Sequence, residues 1–419
     1  MSVGARAGRD SIRRLAAASA VSNIGNWAAT TALALVIYSD TGSALWLSVA
    51  FLLTQLPSAL VAPIGGVIAD RLNRQRVMIT CDLLGAACYA GLALVRSPAA
   101  LIALGSLAAV LHMPFGPASG AAVPNLVAGD DLSWANGTLA AAGNVGNLVG
   151  PALGGALYAL SGAHAVFWAD AVSFVISAGV IATVRGRFRA ERAVEKGERG
   201  GMWDGARFVW RQRTLLTMTI VGAVTFIGTE VASVADLPLI KDFGVGGSGY
   251  GAMNTVWGAG GLIGGLVAAR IITRKREPAA AVFGVLFLGV FVSAVGVSPW
   301  FALIPVFMFA FAFSDSFSFV GYNGIYQRES PDEIRGRLFA AVGAVYTLAT
   351  AVSFAVAGFL VQAVGWRPVY VGGGLIDVGC ALVLGFVLLR RPAAVPAPRP
   401  SQGRGAVGDP PTRGGTATS

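Results

Sequence analysis

Continuous apolar runs recur along the chain, separated by short stretches carrying Arg, Asp, Pro and Gly. They predict spans at 15–38, 44–69, 77–96, 99–123, 133–160, 164–184, 214–240, 248–271, 279–297, 299–325, 336–363 and 367–389. A helix crosses a bilayer with about 20 apolar residues. The runs do not alternate, and they far exceed the roughly 10 residues that a barrel strand needs. The expected fold is an all-α integral membrane protein with twelve transmembrane helices. Gly and Ala crowd these spans, as in tightly packed membrane helices. Pro57, Pro63, Pro114, Pro117, Pro151, Pro238 and Pro305 mark expected bends.

Composition removes the soluble alternatives. Of 419 residues 55% are hydrophobic and 12% charged, with mean hydropathy +0.68. A soluble globule cannot hide that much apolar surface. A large soluble catalytic domain is excluded. The net charge of +10 would suggest nucleic acid in a soluble protein, but here its placement is what matters. With the N-terminus inside, 28 of the 31 Lys and Arg residues fall on inner segments, and only Arg96, Lys241 and Arg367 fall outside. The positive-inside rule therefore predicts a multi-pass protein of the cell membrane with both termini cytoplasmic. One inner loop, 124–132, is anomalous: it carries Asp130 and Asp131 and no basic residue. The first run is too long for a signal peptide and reads as an uncleaved span. Cys81, Cys88 and Cys380 all lie in apolar runs and imply no disulfide framework.

The chain divides near its middle. Residues 1–184 are expected to form one six-helix bundle, 185–213 a basic cytoplasmic linker, 214–391 a second bundle, and 392–419 a disordered Pro/Gly/Arg-rich tail. Within the linker, Met202 to Thr214 mixes Trp203, Phe208 and Trp210 with arginines, which predicts an amphipathic helix on the inner leaflet. The halves repeat. GGVIADR (65–71) answers GGLVAAR (264–270), and LVGPALGGALYALSG (148–162) has its counterpart 203 residues later in AVSFAVAGFLVQAVG (351–365). Paired six-helix bundles are a transporter architecture with the site between the halves.

Two motifs carry a family resemblance. Gly66, Asp70, Arg71, Arg74 and Arg76 resemble the loop signature G-x-x-x-D-R-x-G-R-R/K of the major facilitator superfamily. Asn73 stands for its second glycine, as the next best residue for a left-handed turn, and Gln75 replaces a basic residue. Ala269 occupies the place of Asp70 in the second half. GNLVGPALGG, with Gly146, Gly150, Pro151, Gly154 and Gly155, is similar to the superfamily's antiporter signature G-x-x-x-G-P-x-x-G-G. Gly146, Gly150 and Gly154 share one helical face and permit close helix approach. Gly260, Gly261, Gly264 and Gly265 are expected to face them. VSNIGNWAATTALALVIYSDTGSA, FWADAVSF and RESPDEIRGRLFA resemble the branch of macrolide and enterobactin exporters. The arginine that many drug:proton antiporters carry in the fourth span is missing; 99–123 holds only His112 as a titratable group.

The resemblance implies that the first, fourth, seventh and tenth spans line a central cavity. Acidic residues within spans are costly and by default functional. Glu230 in the seventh and Asp315 in the tenth are the expected proton-coupling carboxyls. Asp236 is expected to be solvated near the outer face, and Asp170 and Asp377 to be structural. Asp70 is expected to act as a cytoplasmic gate with nearby arginines, and Asn23, Asn26, Trp27, Trp257, Tyr322 and Asn323 are candidate cavity groups. GVGGSG (244–249) lies in an external loop with no preceding strand, and no Gly-Lys dipeptide exists to form a P-loop. Two histidines do not build a metal site, so no metal or cofactor is expected. The sequence points to a monomeric exporter working by alternating access. Its expected partners are a small amphipathic substrate, protons and the lipid bilayer, without nucleic acid or enzymatic activity. An importer or uniporter of the same superfamily is the alternative, ahead of a membrane sensor.

Overall fold

The computed structural model describes residues 3–127, 129–186, 188 and 202–389. Its helices are α1 (Val3–Thr41), α2 (Ala44–Arg71), α3 (Arg74–Leu92), α4 (Pro98–His112), α5 (Phe115–Leu126), α6 (Leu132–Ala182), α7 (Met202–Arg211), α8 (Arg213–Asp242), α9 (Gly246–Ile271), α10 (Glu277–Val297), α11 (Ile304–Glu329), α12 (Asp332–Val364) and α13 (Trp366–Leu388). No strand forms among the described residues. Nine helical segments among them are long and apolar enough to cross a membrane. α4 and α5 make one crossing, interrupted at Pro114. Gly162 (φ 74°, ψ 176°) breaks α6 into two, and Gly365 (φ 81°, ψ 174°) separates α12 from α13 in the same backbone state, 203 residues on. α2, with 28 residues, is long and apolar enough as well, and α3, with 19 residues, is long enough but more polar. They bring the crossings to twelve, in two bundles of six.

Most of the prolines expected to mark bends leave their helices unbroken. Pro151 and Pro238 sit inside continuous helices, and Pro305 lies in the first turn of α11, where its missing N–H costs nothing. Only the Pro114 region breaks a crossing. Asn73 is not left-handed either. It is extended (φ −67°, ψ 114°), and its side chain accepts from the Arg76 N–H, so it caps α3.

Several faces of the packing decide where a cavity can form. At the face carrying the arginine-rich loops, each half keeps its own core. Ile12, Leu15, Met78, Ala118 and Ile181 pack in the N-terminal half, and Leu215, Met218, Ala281, Leu338 and Leu384 in the C-terminal half. At the opposite face one cluster joins both halves, with Leu35 and Leu47 against Val234, Leu239, Phe354 and Trp366. Gln362 Nε2 also donates to Ser43 Oγ across that seam at 2.8 Å. The halves are thus closed together at one end and separate at the basic end.

The acidic loop finds its partner on α1. Arg9 bonds the Asp131 carboxyl at 2.6 Å and lies over the Trp134 ring at 5.3 Å. The hydrogen-bonded guanidinium holds the Asp131 carboxyl below the usual carboxylate range. α7 is the expected amphipathic helix. It buries Val209 in the C-terminal core and sets Gly205 against the Arg337 backbone, while Trp203 and Trp210 stay exposed. The tail from 390 and most of the linker, 189–201, lie outside the described residues.

Candidate functional site

A cavity of about 940 Å³ lies between the halves. Asn23, Asn26 and Trp27 of α1, Trp257 of α9 and Glu230 of α8 stand on its wall, as do Ser119 and Asn136 toward the basic face. Asn23 Nδ2 donates to the Ser19 carbonyl at 2.7 Å, and Asn26 Oδ1 accepts from Tyr89 at 3.0 Å. Each amide keeps its other end for a ligand. Trp27 and Trp257 are 36% and 37% exposed, so both present ring surface to the space. The wall mixes aromatic area with a few polar groups, which suits an amphipathic molecule.

The glycine motif explains how α1 is held at this wall. A Cβ at Gly146 would come within 2.5 Å of the Asn23 Cβ. One at Gly150 would come within 2.5 Å of the Trp27 Cβ and 2.8 Å of the Ile24 carbonyl. At Gly154 it would lie 2.6 Å from the Ala28 Cα. The face therefore clamps α1 and fixes the backbone behind Asn23 and Trp27. The expected partner surface on α9 is wrong. Gly260 and Gly264 pack on the Phe309 and Phe313 backbone of α11, while Gly261 and Gly265 meet nothing within 4 Å. α9 touches the motif through Gly251 instead, whose Cβ would lie 3.1 Å from the Gly155 Cα. The motif thus has two faces, one within its half and one between halves.

The carboxyls separate into different environments. Glu230 is half-buried on the cavity wall, and no donor among the described residues contacts its carboxyl. Asp236, two turns nearer the closed end, is also on the wall but is buried, and it accepts a short hydrogen bond from Tyr370 of α13. The expectation of solvation fails because α13 closes over it. Asp315 does not reach the main cavity. It is exposed to a separate pocket of about 390 Å³ with Asn144, Asn147 and Ser316, and accepts from Ser318 at 3.1 Å. Trp257 lines both spaces. Tyr322 is a core residue and not a cavity group. It lies three turns beyond Phe311 on the same face of α11, buried in the C-terminal core with residues of α8, α10, α12 and α13. Asn323 donates to the Phe319 carbonyl and is off the wall as well.

The loop motif contributes less that can be placed. Gly66 has open space at its Cα, Arg71 and Arg76 are exposed, and Arg74 is buried with its N–H on the Phe188 carbonyl. The Asp70 side chain lies outside the described residues.

The described residues thus form two pseudo-repeated six-helix bundles around a central polar–aromatic cavity, with no nucleophile–base constellation assembled there. The family model for transmembrane secretion effectors matches residues 6–399. The chain belongs to that family of major facilitator transporters. It is a multi-pass membrane transporter and not an enzyme. It is 29% identical over 367 residues to the multidrug efflux pump Tap of Mycolicibacterium fortuitum, covering 84% of this chain and 90% of that protein. To macrolide efflux protein A of Streptococcus pyogenes it is 24% identical, covering 88% and 93%. Among solved structures, the nucleoside transporter NupG superposes with a TM-score of 0.72 at 13% identity, over 91% of this chain and all of that one. At that identity the likeness shows the fold alone.

Sequence reasoning missed Tyr370 and Asp82. Tyr370 carries no signal within an apolar run; only packing brings it to Asp236. Asp82 does carry one, being a carboxyl inside the predicted third span, and the cost rule that selects Glu230 selects it too.

Proposed function

We propose that the protein exports small amphipathic compounds across the cell membrane in exchange for protons, by alternating access. The observation that carries this reading is Glu230: a carboxyl on the cavity wall, beside the seam that must open, with no cationic partner among the described residues. Such a group trades its charge for a proton or a ligand whenever its access to water changes. The efflux relatives support export, and the positive-inside rule assigns the basic face to the cytoplasm. The cavity then lies open to the cytoplasm and sealed outside. Asp315, in the neighbouring pocket across Trp257, is the second candidate coupling carboxyl. Transport in proteoliposomes by Glu230→Gln tests the assignment.

Closure on the cytoplasmic side is assigned to the Asp70 loop. Asp70→Asn keeps the shape but removes the charge that would engage arginines or the first turn of α12. The inward-open population rises, and cysteines placed in the cytoplasmic half of the cavity label faster. Unchanged labelling removes the gate.

A further inference from the structure

The N-terminal half holds a cluster of ionisable groups that the coupling role of Glu230 does not use. Asp82 of α3 has 0% exposure, and its Oδ1 lies 3.3 Å from His112 Nε2 of α4. Asp82 Oδ2 has no hydrogen-bond partner. Asp170, in the second crossing of α6, is 1% exposed and lies one turn before Phe174, whose ring meets His112. Ser173 donates to its Oδ1 at 2.9 Å, but Oδ2 is again unpartnered. The other titratable groups nearby are Cys81, Cys88 and Tyr89 of α3 itself. α5 carries no ionisable side chain, and α2 carries only Asp70 and Arg71, at its far end. Among the described residues no lysine or arginine neutralises the cluster.

Dry carboxyls cannot stay charged without a cation. Among the described residues the group placed to supply one is His112, 3.3 Å from Asp82 and 28% exposed on the wall of the main cavity. Its ring stacks on Phe115 at 4.9 Å and meets the Phe174 edge at 5.1 Å, which fixes it between Asp82 and the open space. The other half shows what is special here. Gly25 and Gly228, 203 residues apart, each back onto a buried carboxyl, Asp170 and Asp377 respectively. Asp377 has no histidine beside it, so of these two buried carboxyls only Asp170 shares its half with a histidine on the cavity wall.

We propose that Asp82, His112 and Asp170 form a second proton-binding site that exchanges with the cavity through the His112 imidazole. A proton arriving from cavity water on Nδ1, which makes no hydrogen bond with the described residues, lets the Nε2 proton pass to Asp82 Oδ1. The ring returns to neutral and the cluster has gained one proton. The site rests on the reading of proton-driven export, and gives the N-terminal half its own share in the cycle.

The test uses purified full-length protein in liposomes, without substrate or gradient, so it stands or falls apart from the Glu230 assignment. In pH-difference infrared spectra, Asp82→Asn and Asp170→Asn should each remove intensity from the carboxylic-acid C=O region. In His112→Gln the exchange of that proton with D2O should slow at least several-fold. With two histidines in the chain, ¹⁵N-histidine spectra give an independent reading. Asp82→Asn should move the His112 signals and leave those of His164, which bonds the Ala93 carbonyl, in place. Infrared spectra of both Asn variants that superimpose on the parent overturn the site. So does exchange at the parent rate in His112→Gln.

Discussion

Glu230→Gln should abolish accumulation of substrate against its gradient while leaving downhill exchange measurable. A pH difference of one unit is worth about 1.4 kcal/mol per proton, so one-for-one exchange sustains roughly tenfold accumulation. Glutamine preserves the size and hydrogen-bonding capacity of Glu230 but carries no exchangeable charge. Accumulation in the variant should therefore fall to the leak level, close to the loss of the whole tenfold ratio. The carboxyl has no protein donor among the described residues, so its neutralisation breaks no internal contact and folding should survive. Asp315→Asn separates the two carboxyls. If coupling runs through Glu230 alone, Asp315→Asn keeps the ratio, because Asp315 opens on a different pocket. Native accumulation in the double variant would send the search to Asp236.

The second large effect is expected at the glycine motif. Gly150→Leu places a branched side chain where even a Cβ meets the Trp27 Cβ at 2.5 Å and the Ile24 carbonyl at 2.8 Å. Backbone atoms on the far side cannot swing away as a flexible side chain can. Overpacking of this kind costs about 1–3 kcal/mol or more. The clash falls within the N-terminal half, so α1 moves off α6 and Asn23 and Trp27 leave their places on the wall. Transport should drop to background, with lowered folded yield and a lower melting temperature in detergent. Gly155→Leu provides the contrast. It leaves the clamp on α1 alone and pries the halves apart at Gly251, so folding is spared and transport is lost. Native transport by both variants would remove the motif from the mechanism.

Much of the architecture was readable in the sequence because lipid imposes one dominant rule, and unbroken apolar length obeys it. Gly162 and Gly365 even mark equivalent turns at a fixed spacing. The placement of side chains around each helix was far less readable. Span membership put Asp315 and Tyr322 in the cavity, yet a helix turns about 100° per residue, and neighbouring helices decide which arc faces the space. Tyr322 is enclosed in the C-terminal core, and α9 with α6 diverts Asp315 to its own pocket. The partner of the glycine motif failed for a related reason. Glycine stripes on α6 and α9 look complementary as sequences, but a stripe states only that something comes close. α1 occupies the face of the first and α11 that of the second. Asp236 looked solvated from its position near a helix end, and only the arrival of Tyr370 from the last helix shows it buried.

The central claim is proton exchange, and one measurement addresses it directly. The purified protein is reconstituted with the membrane potential clamped at zero, the lumen is made acidic by one pH unit, and ethidium is followed. Antiport predicts that ethidium accumulates about tenfold in the acidic lumen as protons leave. Accumulation on the alkaline side, or none above protein-free liposomes, would contradict it.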